Sequence, residues 1–440
     1  MQLSLSLSKP KIDFLSYRDR LQQLLQGDLN FHGRNSTYSS HGIHAFPAKF
    51  PPQLPRIFIE NLTEPNDIVL DPMMGSATTL LEAVLLGRRG IGVDIDPLAV
   101  RIGHAKVNPN SILKIEEEGM RVVANAQKLL REKAFELEKR LKLRFSEENL
   151  KFIDYWFLPE TQIELLALIE EIEKVENTSV RSFLLLNFSS TIITKSGGVS
   201  LALDLAHTRP HRVISKTVQS AISEFRKRLK RNLRNVADKE PTQVQFIAST
   251  GTVENLPIAD ESVDLIVTSP PYASNAIDYM RAHKFSLVWM GFSISSLGSL
   301  RQNYIGADST SGINYLTLPA FAQEIVKSIE KADKKKALVL HRYFSEMTIA
   351  LEEMKRVLKP EKAAIVVVGN SMMRGISTET DRCLGEIGKH VGFDLVHIGV
   401  RDLDRDKRML PARKNGNGMS SQIEARMHQE YILGFMKPGG

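Results

Sequence analysis

A short apolar run that ends in two consecutive prolines constrains this chain more than any other feature. Residues 263–267 read V-D-L-I-V, and residues 268–272 read T-S-P-P-Y. The apolar run is typical of a parallel strand that is buried on both faces. Proline lacks a backbone N–H and has a fixed φ, so the two prolines end the strand in a stiff turn. We therefore expect Ser269 and Tyr272 at the carboxyl edge of an α/β sheet, where such sheets bind ligands.

The residue types in this turn suit an aromatic amine. The hydroxyl of Ser269 and the backbone carbonyl of Pro270 can both accept hydrogen bonds from N–H groups. Two such acceptors favour a more tetrahedral nitrogen, whose lone pair is then available for attack on a methyl sulfonium. Tyr272 offers a ring face on which a base can stack, a contact worth about 1–3 kcal/mol. An ordinary turn at the end of a strand is the alternative interpretation.

A second pattern of strand, turn and helix lies far upstream. Residues 68–70 are apolar, residues 71–76 contain a glycine, and residues 78–86 have helical spacing of apolar side chains. A glycine in such a turn lets a ligand approach the backbone closely. The next short strand ends in acids, and an acid at that position commonly holds a ribose. Asp94 is the first candidate for this role and Asp96 is the second.

Together these motifs resemble those of a known family. D-P-M-M-G-S-A-T-T at 71–79, G-V-D-I-D-P at 92–97 and the T-S-P-P-Y string resemble the DNA methyltransferases that methylate exocyclic amines with S-adenosylmethionine. The serine form of the proline motif resembles the N4-cytosine branch most closely. Adenine-N6 enzymes more often have Asp or Asn at the position of Ser269, and that branch is the near alternative.

Two further segments carry the same resemblance. H-A-F-P-A-K-F-P-P at 44–52 resembles the family's segment that packs on the methionine end of the cofactor. Residues 356–371 resemble a later strand of the catalytic domain. The resemblance covers about residues 40–110 and 244–400, and it says little about residues 111–240 or the last forty residues.

The resemblance implies a fold, a reaction and a set of site residues. The fold is an α/β Rossmann-like class I methyltransferase sheet with a mostly helical insertion. The reaction is site-specific methylation of cytosine N4 in double-stranded DNA with S-adenosyl-L-methionine as the cofactor, in a restriction-modification system that has a cognate nuclease as a candidate partner. The catalytic residues are expected to be Ser269, Pro270, Pro271 and Tyr272. The cofactor-binding residues are expected to be Lys49, Phe50, Pro51, Asp71, Pro72, Met73, Gly75, Ser76, Thr78, Asp94, Ile95 and Thr252.

The chain departs from the family pattern at two places. The family's glycine turn usually has a second glycine where this chain has Ala77. The third strand, expected at 243–247, is usually followed by an acid that contacts the adenine amino group. Here the following residues offer Thr250 and Thr252 and no Asp. Thr252, backbone groups or the Val253-Glu254 region are therefore expected to recognise the adenine instead.

Charge and cysteine content narrow the chemistry. The 440-residue chain has a formal net charge of +7, which favours a polyanionic partner. Its single cysteine, Cys383, excludes an intramolecular disulfide and a Cys-rich zinc site. It also disfavours methylation at cytosine carbon-5, which needs a nucleophilic thiolate, and no metal site is expected. No apolar run reaches membrane-spanning length, and the first ten residues are too polar for a signal peptide, so a cytoplasmic protein is expected.

The pattern along the chain predicts four parts. Residues 1–43 form a leader, 44–109 the cofactor-binding half, 110–240 a helical insertion that contacts DNA, and 241–440 the catalytic half with a basic loop. The insertion contains a basic helix near 223–234 that can neutralise phosphates, although a solvated helix face is the alternative. The nucleic-acid contacts are expected to include Arg226, Arg228, Lys230 and Arg234 of this helix, and Asn275, Asp278, Tyr279 and Arg281 after the proline motif.

Two other functions remain open from the sequence. A guanine-N2 RNA methyltransferase shares the glycine turn and a P-P-Y motif, but it more often has Asp before the prolines. A catalytically silent DNA-binding protein on the same fold would not bind S-adenosylmethionine, so cofactor binding distinguishes it from an enzyme.

Overall fold

The computed structural model describes residues 15–46, 49–107, 111–194, 196–203, 205, 210–237, 244–273, 278–403 and 428–439. Its strands are β1 (Ile68–Asp71), β2 (Arg89–Asp94), β3 (Ala202–Leu203), β4 (His211–Arg212), β5 (Phe246–Thr250), β6 (Val263–Thr268), β7 (Leu358–Val368), β8 (Met372–Met373), β9 (Ile376–Ser377), β10 (Asp394–Asp402) and β11 (Gln429–Met436).

The helices within these ranges are α1 (Tyr17–Gln26), α2 (Gln53–Leu62), α3 (Thr78–Leu85), α4 (Pro97–Val107), α5 (Ile112–Arg144), α6 (Glu147–Trp156), α7 (Pro159–Glu173), α8 (Thr178–Ile192), α9 (Ala221–Ala237), α10 (Met280–Leu287), α11 (Ile294–Gln302), α12 (Ala320–Glu330), α13 (Lys334–Val357) and α14 (Thr380–His390). A short 3-10 turn covers Ser39–Gly42. Within the described ranges, no helix is both long and apolar enough to span a bilayer.

One seven-stranded sheet organises the molecule, in the order β10-β11-β7-β6-β1-β2-β5. Strands β5, β2, β1, β6 and β7 run parallel, and β11 is antiparallel to both β7 and β10. The chain order reverses between β1 and β6, which creates a crevice at the carboxyl ends of these strands. The predicted α/β sheet of Rossmann type is therefore confirmed.

The central strands are apolar on both faces because helices cover both sides of the sheet. In β7, Ala364, Val366 and Val368 face the cluster formed with α12, α13 and α14. The alternating residues Ile365 and Val367 face the opposite cluster, which contains residues of α1 and α2. This double burial explains the continuous apolar runs seen in the sequence. The third strand in the chain was expected at 243–247, but β5 covers Phe246–Thr250, so the expected position is three residues too early.

Helices α5 to α9 lie between β2 and β5 in the chain and share one apolar core with the catalytic sheet's own helices. That core includes Leu98 and Ile102 of α4 and Phe285 of α10, all fully buried. Trp289, just after α10, is also fully buried and meets Phe157 edge-on. The insertion is thus packed rigidly against the two helices that border the crevice.

The N-terminal helix α1 belongs to the packing of the sheet. Its Leu21 and Leu25 are buried against β10, β11 and β7. Two glycines in the outer strands allow this approach: a Cβ at Gly434 would lie 2.2 Å from the Leu25 side chain, and one at Gly399 would lie 2.6 Å from the Leu25 carbonyl.

Two glycines inside helices give opposite predictions for stability. A Cβ at Gly388 of α14 would lie 2.3 Å from the buried Phe435 ring, whereas a Cβ at Gly298 of α11 would meet no atom within 4 Å. Gly388→Ala should lower the free energy of unfolding by about 1–3 kcal/mol through overpacking. Gly298→Ala should raise it by about 0.5–1 kcal/mol, because alanine restricts the unfolded chain and favours helix. Urea unfolding followed by circular dichroism measures both, and equal midpoints for the two variants would contradict the packing of α14 on β11.

A candidate active site at the carboxyl edge of the sheet

A cleft of about 1160 Å³ opens at the carboxyl ends of β1, β2, β5 and β6. It brings together two motifs that are nearly two hundred residues apart in the chain: the glycine turn after β1 and the proline turn after β6. The predicted residues that line it are Lys49, Phe50, Asp71, Pro72, Met73, Gly75, Ser76, Thr78, Asp94, Ile95, Thr252, Ser269, Pro270, Pro271, Tyr272 and Tyr279. Pro51 does not line the cleft: it is buried at the start of α2, where its carbonyl accepts from the Leu54 amide.

The turn after β1 places backbone where a ligand can approach it. Gly75 has a φ of 44°, and its amide donates to Asp94 Oδ2 at 2.8 Å. Ala77 also lies in the left-handed region, with a φ of 56°. Glycine adopts this conformation freely, whereas an L-residue there is less favourable by about 1–2 kcal/mol. The turn therefore retains the glycine-type geometry at Ala77, and the cleft remains open beside it.

A buried hydrogen bond joins the two motifs. The Thr268 hydroxyl donates to Asp71 Oδ1 at 2.7 Å, and the Met73 amide donates to the same oxygen at 3.2 Å. Burial raises the pKa of Asp71 to about 6, while these donors favour its charged form. Thr268 and Asp71 thus fix the separation between the glycine turn and the proline turn.

Two acids follow β2 and have different surroundings. Asp94 Oδ1 accepts from the Asp96 amide at 2.8 Å. Burial and the neighbouring charge of Asp96 raise the pKa of Asp94 to about 7. Asp96 Oδ2 lies 2.6 Å from His283 Nδ1 and accepts from the Tyr304 hydroxyl at 3.0 Å. Burial alone would raise the pKa of Asp96, but His283 and the hydrogen-bond donors hold that pKa below its usual value. Asp94 is therefore better placed than Asp96 to accept hydrogen bonds from a ribose.

The side chains of the proline turn are held from behind by the last strands of the sheet. The Ser269 hydroxyl donates to the Val367 carbonyl at 3.1 Å, so its lone pairs remain available as acceptors. The Tyr272 hydroxyl donates to Glu430 Oε1 at 2.9 Å, and Glu430 Oε2 pairs with Arg401 Nε at 3.2 Å. Burial and the charge of Glu430 hold the pKa of Tyr272 well above its usual value. Tyr272 is thus a neutral ring with a fixed orientation.

Residues 38–46, which we call the covering segment, border one side of the cleft and are anchored by a buried carboxylate. Glu82 Oε1 accepts from the Tyr38 hydroxyl at 2.7 Å and lies 2.7 Å from His41 Nε2, while Oε2 accepts from Arg56 at 3.1 Å. Burial lowers the pKa of His41 to about 4, so its ring stays neutral. Lys49 Nζ donates to the His41 carbonyl at 2.8 Å, which holds the Lys49 side chain against the covering segment.

The covering segment contacts helix α8 of the insertion, and through it α10, by hydrogen bonds between buried side chains. His44 Nε2 lies 2.9 Å from the Ser189 hydroxyl of α8, which donates to the Ser286 hydroxyl of α10 at 2.9 Å. Phe46 stacks on Tyr279 with ring centroids 4.9 Å apart. These contacts fix α8 and α10 relative to the cleft.

The expected nucleic-acid residues fall into two groups. On α9, Arg226, Lys230 and Arg234 lie on one exposed face together with Lys227 and Arg231. Arg228 was expected on that face, but it is half-buried on the opposite side of the helix and is close enough to affect His44 electrostatically. The helical period of 3.6 residues causes this difference, because residues 226 and 228 are two apart and point away from each other.

The second group follows the proline turn. Tyr279 lines the cleft, and Asp278 Oδ2 lies 2.7 Å from Arg281 Nε. The prediction for Asn275 falls outside the described residues, as does most of the basic loop expected near 402–418.

Several side chains at the cleft were not foreseen from the sequence. Glu430 is far from its partner Tyr272 in the chain, and no local pattern connects them. The Asp96–His283 pair joins the residue just before α4 to a residue of α10, and no local sequence pattern connects these two positions. Phe46 and Tyr304 also line the cleft. Phe46 lies within the motif at 44–52, and both residues are aromatic, a type that often lines ligand pockets.

The residues present fit a bound S-adenosylmethionine. The positive φ of Gly75 exposes backbone at the turn, Asp94 offers a carboxylate beside it, and Thr252 lies at the next strand end. Lys49 and Phe50 border the end of the cleft under the covering segment. Within the described residues, no group of three or more His, Cys, Asp or Glu side chains could hold a metal ion.

Known proteins resemble this chain along most of its length. A family model described as DNA methylase matches residues 22–105. The Type II methyltransferase M.MvaI of Kocuria varians is 26% identical, over 92% of each chain. The Type II methyltransferase M.BsoBI of Geobacillus stearothermophilus is 22% identical, over 83% of this chain and 80% of that protein. A solved structure of a candidate DNA modification methylase from Thermus thermophilus, complexed with S-adenosyl-L-methionine, is 18% identical over 42% of this chain and 49% of its own, with a TM-score of 0.21.

The matched residues of the family model include the glycine turn and Asp94. The alignments with M.MvaI and M.BsoBI extend further, across the insertion and the proline turn. With both motifs brought to one cleft, the family match and the relatives together support an S-adenosylmethionine-dependent DNA amino-methyltransferase.

Proposed function

We propose that the protein methylates the N4 amine of cytosine at a specific site in duplex DNA, as the modification enzyme of a restriction-modification system. The observation that carries the choice of cytosine is Ser269, a neutral hydroxyl at the position where the adenine branch more often has a carboxylate or amide. The relatives M.MvaI and M.BsoBI are both Type II methyltransferases, which supports the modification role.

The proline turn prepares the amine for attack. Ser269 Oγ and the Pro270 carbonyl accept its two N–H groups, which concentrates the lone pair on nitrogen. The bound cofactor supplies an electrophilic methyl group on a sulfonium. On taking the methyl group, the amine would release one of its two protons to solvent, and Ser269 Oγ and the Pro270 carbonyl would stabilise the positive charge on the nitrogen until that proton has left. The neutral Tyr272 ring stacks on the extruded base and offsets part of the few kcal/mol that extrusion costs.

The other half of the cleft holds the cofactor in this proposal. Asp94 accepts from the ribose hydroxyls, Thr252 and its neighbours border the adenine, and Lys49 and Phe50 border the methionine end. Thr268 and Asp71 keep the two halves in register, so the reacting atoms can align.

Product analysis tests the proposal directly. Duplex DNA incubated with the protein and labelled S-adenosylmethionine, then digested to nucleosides, should yield N4-methylcytosine. N6-methyladenine would move the enzyme to the adenine branch, and product on RNA alone would refute a DNA substrate. Ser269→Ala should bind the cofactor as the wild type does and lose roughly 10²-fold or more in turnover, because an acceptor of the amine is removed. Unchanged turnover in this variant would contradict the role of Ser269.

The raised pKa of Asp94 predicts a pH dependence of cofactor binding. In the free protein the pKa is about 7, so the carboxyl is increasingly protonated below that pH. Ribose hydroxyls donate to the charged form, so binding should lower this pKa and release a proton. Affinity should therefore rise as pH increases from about 6 to 8, with a slope of up to about tenfold per unit on the acid side. Calorimetry in buffers of different ionisation enthalpy measures both the affinity and the proton release.

Asp94→Asn is the matched variant for that experiment. It preserves the shape and can still accept hydrogen bonds, but it does not titrate. Its affinity should be weaker than that of the wild type at pH 8 and nearly independent of pH. A variant that keeps the wild-type slope would show that another group is responsible.

The basic face of α9 predicts a salt-dependent contribution to DNA binding. Its side chains Arg226, Lys230 and Arg234 are exposed, so each can neutralise a phosphate and release a counterion. The double variant Lys230→Gln with Arg234→Gln should weaken DNA binding and reduce the slope of log K against log salt by about 1–2. Lys128→Gln, at an exposed position on α5 of the same insertion, is the control and should leave the slope unchanged. Fluorescence anisotropy at several salt concentrations measures this, and equal slopes in all proteins would exclude α9 from the interface.

A further inference from the structure

A second cleft, of about 1480 Å³, opens beside the active site. We call it the side cleft; its walls are formed by α11 and by residues 305–309, and its floor by Asp278. It shares Pro271, Tyr279 and Tyr304 with the active-site cleft, so the two are continuous on the far side of the proline turn.

Two arginines give the side cleft a positive charge. Arg281 Nε and Arg301 Nε both lie 2.7 Å from Asp278 Oδ2. The Asp278 side chain is only 12% exposed, whereas those of Arg281 and Arg301 are 33% and 47% exposed. Lys284 is near enough to interact electrostatically with all three. A second acid, Asp308, also lines the side cleft, and its Oδ1 lies 3.8 Å from Lys336 Nζ. The four cations Arg281, Arg301, Lys284 and Lys336 therefore outnumber the two aspartates, which leaves an excess of positive charge at an open surface. The shared carboxylate also orients the guanidinium groups, which reduces the entropy lost when they bind an anion.

The walls of the side cleft are held apart by a buried arginine. Arg342 of α13 is 4% exposed and donates to the Gln302 carbonyl at the end of α11 and to the Ser309 carbonyl of the opposite wall, both at 2.8 Å. Glu346 fixes this arginine through Nε at 2.6 Å and also accepts from the Gly306 amide at 2.7 Å. The width of the cleft is therefore set by charged hydrogen bonds inside the protein, as expected of a preformed binding site.

The face of α11 in the side cleft leaves room for an extended backbone. Ser295, Gly298, Ser299 and Gln302 line it at helical spacing. A Cβ at Gly298 would meet no atom within 4 Å, so the surface there is open. Serine and glutamine can donate hydrogen bonds to phosphate oxygens without adding bulk.

From these features we propose that the side cleft binds the sugar-phosphate backbone of the DNA strand directly beside the extruded nucleotide, with Arg301 and Arg281 as phosphate ligands. The inference rests on the proposed function, because a base in the active-site cleft must be joined by phosphodiesters to neighbours outside it. The side cleft is continuous with the active site at the turn that carries Tyr272, and its charge is opposite to that of the strand. Arg301 thus becomes a contact to the substrate on α11, which no motif had singled out.

The test pairs one arginine with one phosphate. The probe is a duplex that carries the methylation site mapped by product sequencing, with a neutral methylphosphonate in place of a single phosphate on one or the other side of the target nucleotide. In the wild type, one of these two replacements should weaken binding on the order of tenfold. Arg301→Gln should weaken binding of the unmodified duplex similarly and reduce the salt slope by about 1. In that variant the same methylphosphonate should cause no further loss.

Arg18→Gln is the matched control. Arg18 also pairs with an aspartate, Asp394, and is 47% exposed, but it lies where β10 begins, at the opposite edge of the sheet. It should retain wild-type affinity and the full response to the methylphosphonate. Cofactor affinity and thermal unfolding should be unchanged in both variants, since both arginines are on the surface.

The outcomes separate this inference from the proposed function. Additive losses from Arg301→Gln and the methylphosphonate, or wild-type affinity in Arg301→Gln, would overturn the side cleft as a backbone site while methylated DNA is still produced. Non-additive losses would support it even if the methylated base proves to be adenine. A wild-type protein that neither binds nor methylates duplex DNA would refute both.

Discussion

The buried hydrogen bond between Thr268 and Asp71 is the constraint on which the site depends. It joins the ends of two adjacent parallel strands, one carrying the glycine turn and the other the proline turn. Methyl transfer requires the donor and the acceptor atoms to be held within a few tenths of an ångström of the reactive geometry. A single short contact between a threonine and a carboxylate provides that register, and the low polarity of its surroundings strengthens it. The first residue of the proline motif therefore acts in positioning, whereas the second and later residues line the cleft itself.

The insertion and the sheet behave as one packed unit at the cleft. His44, Ser189 and Ser286 connect the covering segment, α8 and α10 by hydrogen bonds between buried side chains. The apolar core continues through the same helices. If DNA binds the exposed basic face of α9, as we propose, it would thus meet a cleft whose position relative to the insertion is already fixed. Rigid coupling of this kind suits an enzyme that must place one base of a long duplex at one atom of a cofactor.

The sequence predicted the strands and turns that carry the chemistry, because their signals are local. Apolar runs, a glycine with positive φ and paired prolines all act through neighbouring residues, and they placed Gly75, Asp94 and Ser269 in one cleft. Contacts between distant segments could not be predicted in this way. Glu430 behind Tyr272 and Arg342 between the walls of the side cleft come from strands and helices whose own patterns only indicate burial. Arg228 shows a converse limit: the basic residues are contiguous in the sequence, but a helix distributes them around its axis, and Arg228 is half-buried while Arg226, Lys230 and Arg234 are exposed.

The link from Tyr272 to Glu430 has a consequence for the order in which the site can form during synthesis. Glu430 lies on β11, which inserts between β7 and β10 although it is the last of the seven strands to be made. Until β11 has left the ribosome, β7 lacks its partner on that edge and the Tyr272 hydroxyl lacks its Glu430 acceptor. The cofactor half of the cleft can fold earlier, because β1, β2 and their helices are close together in the chain. The cofactor half of the cleft therefore forms before Tyr272 is fixed in place, and the proline turn reaches its final form only with the last of the seven strands.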